Sequence, residues 1–197
     1  GRYIGKGYIN HASKILIRIF IRDDSTDDRE LYLSRIKAAD DYRRKLGYDN
    51  CYRMVFGEAD NLPALIIDRY GEVLVMPCLS LGINIRKDMI CDCLEELFHP
   101  KGIYERSDAG VRRKEGLVEE KGLLRGDVPD YVEIIENGIK MLVDVKNGQK
   151  TGYFLDQKEN RFAARRYCVG ADEVLDCFCN SGGFSLNAAT VANNVIA

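Results

Sequence analysis

The sequence has no tryptophan, only 4 prolines and only 2 histidines in 197 residues. It also lacks any apolar run of the roughly 18 residues that a membrane-crossing helix needs. The start, Gly1-Arg2-Tyr3-Ile4-Gly5-Lys6, has neither an apolar h-region nor a small-residue cleavage site. No excess of one charge sign appears: 29 basic against 31 acidic side chains leave a net charge of -2. Whole-chain charge therefore gives no footprint for nucleic acid, and any RNA or DNA site has to be a local basic stripe.

What is present reads as ordinary globular composition. Hydrophobic residues make up 46% of the chain, which argues against disorder and allows one large or two small domains with proper cores. The 7 cysteines are odd in number and lie inside apolar segments, unlike a secreted disulfide framework, so they read as reduced thiols in a cytoplasmic protein. Cys91 and Cys93 fall on different faces of a helix and make a poor metal clip. Cys177 and Cys179 share a strand face and read as small buried hydrophobes, with His11 and His99 both distant in sequence.

Periodicity and punctuation predict the elements. Thr26-Asp27-Asp28 offers a helix N-cap, and the helix runs over 28–46 to Gly47. Short apolar runs at 52–56, 64–68 and 73–76 predict an antiparallel meander. A helix over 85–98 places Ile85, Met89, Ile90, Cys93, Leu94 and Leu97 on its apolar side, and a strand follows at 103–106. Residues 107–126, dense in charge with four glycines, read as a solvated loop. Two runs at 131–136 and 139–144 around Asn137-Gly138 predict a hairpin with a type I′ turn. Beyond Lys146 the pattern changes to helix 156–167, strand 173–179, a glycine loop, helix 184–192 and a strand from 195. That alternation is the beginning of a doubly wound parallel sheet. Both ends look cut: residue 1 falls inside a hairpin-like alternation, and an apolar strand has only begun at 195–197.

Two segments carry the chemistry. In Val174-Leu175-Asp176-Cys177-Phe178-Cys179-Asn180-Ser181-Gly182-Gly183-Phe184 a strand runs into glycines and a helix, the place where doubly wound sheets bind ligands. The pattern is neither G-x-G-x-x-G nor a P-loop. On glycines alone a tight turn is as good a reading as a site. Asp176 in the strand and Asn180-Ser181 at its mouth favour a site able to receive an amine and ribose hydroxyls. The second segment, from Asn147 to Arg161, mixes polar groups and aromatics. Residues 146–166 hold six basic side chains (Lys146, Lys150, Lys158, Arg161, Arg165, Arg166) against Asp156 and Glu159, a local basic stripe that either meets phosphate or is simply a solvated helix face.

The segments GQKTGYFLDQKENR and VLDCFCNSGGFSL, with GEADNLPALIIDRYG at 57–71 and GIYERSD at 102–108, resemble the class I S-adenosylmethionine-dependent 23S rRNA cytosine-5 methyltransferases. The resemblance runs almost the whole length. It implies a β-rich PUA remnant over 1–22, a linker helix and central α+β domain over 23–145, and the opening of an α/β Rossmann-like methyltransferase domain over 146–197. It implies S-adenosylmethionine as cofactor, held by Gln149, Lys150, Thr151, Gly152, Asp176, Phe178, Cys179, Asn180, Ser181, Gly182, Gly183 and Phe184. Asp176 would lie near the methionine end with Gly182-Gly183 beneath. Large-subunit ribosomal RNA would be the partner, met by Lys150, Arg161, Arg112 and Arg113. No membrane partner is implied, and a homodimer stays open. Asn180 departs from the family, which has an aromatic residue there. The ribose-binding acid, the motif around the target base and the nucleophilic cysteine of the family would lie beyond Ala197. None of the seven cysteines is the expected nucleophile, and the 197 residues alone are expected to be inactive. Two rivals remain: a non-catalytic RNA-binding or ribosome-associated module, and a methyltransferase of the same architecture acting on another substrate.

Overall fold

The computed structural model describes residues 1–22 and 27–197; Thr26, one of the expected capping residues, lies outside them. A hairpin of β1 (Lys6–Ile9) and β2 (Ile17–Ile21) opens the chain. Helix α1 (Asp28–Lys45) begins where the Asp27 carboxylate accepts from the amides of Arg29 and Glu30, satisfying donors that have no partner within the helix. It stops at Gly47, whose φ of 89° suits glycine.

A five-stranded sheet forms the centre, in the order β3 (Cys51–Phe56), β4 (Ile66–Tyr70), β5 (Val73–Met76), β6 (Gly102–Ser107), β7 (Glu120–Gly126). The β3–β4–β5 meander is antiparallel, as its alternation predicts. Strands β5 and β6 run parallel, and the chain returns between them through α2 (Leu81–Asn84) and α3 (Lys87–Phe98). Alternate side chains divide the sheet between two cores. Leu74 and Met76 join α1 and α3 on one face, while Val73 and Val75 face a second hairpin, β8 (Val132–Glu136) and β9 (Ile139–Val143). Being covered on both sides, β5 is apolar at every position. Asn137 and Gly138 have φ of 54° and 80°, the left-handed pair that a type I′ turn demands.

Three expectations are corrected. Residues 107–126 are not a loop: a 3-10 turn (Gly110–Glu115) leads into β7, with Arg112 and Glu115 turned into the fold and paired there while the neighbouring charges stay in water. The helix expected over 85–98 is present as α3 but begins at Lys87, so Ile85 lies before it, exposed and off the apolar face, and the short α2 precedes it. The third concerns the last elements. Strand β10 (Val174–Leu175) pairs in parallel with β11 (Val195–Ile196), and the ladder ends with the Asp176 amide on the Ile196 carbonyl. With no strand partner beyond that bond among the described residues, the chain turns away, so Cys177 is exposed and Cys179 half-buried. The following helix, α5, is short (Gly183–Ala188).

The first hairpin is packed onto the central unit. Phe20 and Ile21 enter the α1 core, the Tyr8 hydroxyl meets Ser80 Oγ at 3.0 Å, and Glu115 gathers Ser13, Arg18 and Asn10. Burial works against charge on Glu115, but these hydrogen bonds outweigh it and hold the carboxyl below its ordinary value. A lowered native value means that the contribution to stability is complete above the ordinary glutamate range and lost as pH falls through the native value. Acid titration followed by amide exchange is therefore expected to release β1 and β2 before the central sheet, and Glu115→Gln is expected to remove that pH dependence.

Candidate functional site

A concavity lies between the segment leading into α4 (Lys158–Cys168) and the β10–α5 turn. It is a cavity of about 590 Å³ lined by Gln149, Tyr153, Phe154, Gln157 and Arg161 on one side and by Cys177 through Ser181, Gly183 and Phe184 on the other. The size suits a nucleoside-sized ligand. Its walls are aromatic faces (Phe154, Phe178, Phe184) among amide and hydroxyl groups, and Asn180 Nδ2 reaches Gln149 Oε1 at 3.2 Å across the rim.

The wall beneath is built on a buried ion pair. Glu136, at the end of β8, is fully buried and accepts from Arg161 Nε at 2.6 Å and Nη2 at 2.9 Å. It also accepts from the Tyr153 hydroxyl at 3.0 Å. Arg161 Nη2 continues to the Phe154 carbonyl at 2.8 Å, and its guanidinium lies 4.2 Å from the Tyr153 ring. Burial first, then the Glu136 charge, push the Tyr153 phenol upward and keep it protonated as a donor. The hairpin tip adds Asn137, whose side chain reaches Asn187 on α5 and the Lys158 carbonyl, each at 3.2 Å.

The preceding loop is tied to the sheet. Arg106 donates to the carbonyls of Val145 and Gly148, both at 2.9 Å. Thr151 Oγ1 donates to the buried Asp68 at 2.7 Å and meets the Tyr70 hydroxyl at 2.9 Å.

Of the residues expected at a cofactor, Gln149, Phe178, Cys179, Asn180, Ser181, Gly183 and Phe184 line the cavity. Lys150 and Thr151 instead line a separate cleft, and Thr151 is spent on Asp68 and Tyr70. Gly152 packs on the chain itself, where a Cβ would approach Asp144 O and Val143 Cγ1, each at 2.9 Å. Asp176 turns inward: its carboxylate accepts from Ser185 Oγ at 2.6 Å and from the Phe178 amide at 3.3 Å, shaping the turn. The two glycines separate in role. Gly182 has φ of 77° and open space around a Cβ, whereas a Cβ on Gly183 would stand 2.5 Å from Tyr153 Oη and 2.9 Å from Arg161 Cδ. Gly183 thus lets α5 close on the buried pair, and Gly183→Ala is expected to cost about 1–3 kcal/mol in denaturant unfolding by overpacking.

Among the expected RNA contacts, Arg112 is corrected. It is buried and bonded to Asn84 Oδ1 at 2.9 Å, Glu120 Oε2 at 3.1 Å and the carbonyls of Cys78 and Val118, with Glu105 at 3.7 Å. Its charge is consumed inside the fold. Arg161 is likewise held inside by Glu136, while Arg113 is exposed beside Glu119. Sequence reasoning missed Glu136, and it singled out the 147–161 segment without naming Tyr153, Phe154 and Gln157 as site residues. Glu136 looks like one more polar residue of an alternating strand, but it stands immediately before the Asn-Gly turn that meets α4 and α5.

No group of three or more His, Cys, Asp or Glu residues suited to a metal ion occurs among the described residues. Burial raises the thiols of Cys51 and Cys91 to about 12 and pushes Cys78 and Cys93 up as well, so none of the four carries a thiolate near neutrality.

No family model matches the chain. It is 40% identical over 195 residues to ribosomal RNA large subunit methyltransferase I of Aeromonas hydrophila, covering 95% of this chain and 49% of that protein. It is 43% identical over 194 residues to the protein of the same name from Shewanella amazonensis, covering 96% and 49%. The chain thus spans about half the length of the curated relatives it matches. Its fold matches a solved structure described as a methyltransferase complexed with SAH, with TM-score 0.77 and 22% identity over 98% of this chain and 50% of that one. The likeness in sequence is to part of proteins named as methyltransferases, and the likeness at 22% identity is one of fold.

Proposed function

From that homology we propose that the chain is part of an S-adenosylmethionine-dependent methyltransferase of large-subunit ribosomal RNA, forming 5-methylcytosine in the cytoplasm. The observation that carries the reading is the cavity itself: the two segments singled out by their chemistry, 147–161 and 174–184, meet around one space. Its aromatic and amide lining and its volume fit a nucleoside cofactor, whose bound sulfonium would supply the methyl group. Gln149, Asn180 and Ser181 offer polar groups to that cofactor, Phe178 and Phe184 offer ring faces, and Glu136 with Arg161 fixes the wall against which it lies. The division into a PUA-like segment over 1–22, a central domain over 23–145 and a methyltransferase segment over 146–197 belongs to the same proposal.

Cytosine-5 chemistry calls for a thiolate that adds to the base. The buried thiols are held protonated, and Cys177 and Cys179 stand in the wall of the cofactor cavity. Cys177→Ser and Cys179→Ser in the full-length polypeptide are therefore expected to retain methyl transfer, whereas replacement of a covalent nucleophile would remove it.

The test combines the full-length gene product, labelled S-adenosylmethionine and unmodified large-subunit rRNA, with nucleoside mass spectrometry of the digest. Labelled 5-methylcytidine is the expected product. Label in another nucleoside would contradict the assigned base, and RNA binding without label would favour a non-catalytic module.

A further inference from the structure

On the other side of the 147–152 loop lies a second cleft of about 340 Å³. Its floor is apolar, formed by Ile66, Pro77 and Leu79, and its basic members are Arg53, Arg106 and Lys150 against the single carboxylate of Asp108. Arg106 is committed to Asp108 and to backbone carbonyls. Of the other two cations, Lys150 forms an exposed pair with Asp156 at 3.5 Å, open to exchange for a ligand anion. Arg53 uses Nε and Nη2 on Asp68, which is wholly buried behind it, and Nη1 makes no hydrogen bond among the described residues.

Lys150 is held at a φ of 56°, a left-handed conformation rare for a side chain of this kind and concentrated at functional positions. Its ammonium sits 4.3 Å from the centroid of Phe154, a ring that lines the first cavity. One loop therefore presents Gln149, Tyr153 and Phe154 to one space and Lys150 to the other.

We propose that this cleft between the β3–β5 strands and the 147–152 loop receives one unpaired nucleotide of the RNA substrate. The inference rests on the methyltransferase reading above and names a substrate contact for it. The apolar floor of Ile66, Pro77 and Leu79 offers a base a face to pack on, and Arg53 through its unbonded Nη1 and Lys150 from its exposed pair with Asp156 offer positive charge to the adjoining phosphates. A cleft of this size takes one splayed base and not a duplex, whose bases stay stacked.

The experiment uses the full-length polypeptide with two probes, SAH and a fluorescein-labelled single-stranded oligoribonucleotide of about 12 nucleotides. Ala109→Trp fills the cleft from an exposed lining position. Lys150→Asn removes the charge with a residue that tolerates positive φ. Ala109→Trp is expected to weaken the RNA probe about tenfold. Lys150→Asn is expected to weaken it and to lower the slope of log affinity against log salt by about 0.7, the value for one lost phosphate contact on a single strand. Both variants are expected to bind SAH as the parent does. RNA affinity and salt slope equal to the parent in both variants would overturn the cleft while leaving the methyltransferase reading intact. Loss of SAH affinity in Lys150→Asn would place this lysine at the cofactor and also overturn the inference. A parent that binds SAH but not the RNA probe would overturn the RNA reading and the cleft together.

Discussion

Arg161→Ala is expected to destabilise the folded chain by about 3–5 kcal/mol, the cost of stranding one member of a buried ion pair. Glu136 is fully buried, and its two bonds from Arg161 would be lost at once. The Tyr153 hydroxyl alone cannot compensate a buried carboxylate, and the Phe154 carbonyl would keep only the Gln157 amide of its two donors. Because Tyr153, Phe154 and Arg161 all line the cavity, the same substitution is expected to lower SAH affinity. A double-mutant cycle separates the effects. Glu136→Gln in the Arg161→Ala background removes the stranded charge and is expected to recover part of the stability, without restoring ligand affinity. Urea unfolding and SAH titration on the four proteins measure both quantities. A loss below about 1 kcal/mol would mean that the pair behaves as a solvated surface pair.

Arg112→Ala is expected to cost a similar amount, about 3–5 kcal/mol, for a different reason. Its guanidinium joins α2, β6, β7 and the carbonyl of Cys78. Removing it leaves Glu105, 1% exposed, with Lys87 at 2.6 Å and Ser107 as remaining partners. The sequence places Arg112 beside Arg113 and Lys114 in what looks like a basic surface patch, for which truncation would weaken RNA binding and leave folding unchanged. The two accounts part on one observable: the structure calls for a large fall in unfolding free energy with an unchanged salt slope for RNA. Arg113→Ala, at the exposed neighbour, is expected to leave stability within about 0.5 kcal/mol.

The comparison of Arg112 with Arg113 shows where sequence reading stops. Both are arginines in one charged run, and nothing local distinguishes the one that points inward, because its partners are 28 and 34 positions away at Asn84 and Cys78. Local chemistry was more legible. The type I′ turn at Asn137-Gly138, the antiparallel meander and the start of a parallel ladder after 173 all follow from patterns within a few residues. The cavity was legible in its two chain segments but not in its support. Glu136 belongs to neither segment, and only the packing of the β8–β9 hairpin against α4 brings it under Arg161. The same holds for Lys150 and Thr151. They sit between Gln149 and Tyr153 in sequence, yet the twist of the loop turns them to the opposite side, one into a second cleft and one onto Asp68.

The central claim is that the space between 149–161 and 177–184 holds the cofactor. Calorimetric titration of SAH into the full-length polypeptide and its Ser181→Trp variant tests it most directly. Ser181 is exposed on the cavity wall and, among the described residues, its side chain bonds only its neighbour Asn180, so the larger side chain fills the space without touching the Glu136–Arg161 pair. The account predicts saturable binding of SAH by the parent and a loss of at least about tenfold in the variant, with the unfolding midpoint unchanged. Equal affinity in the two proteins would contradict it and move the cofactor elsewhere.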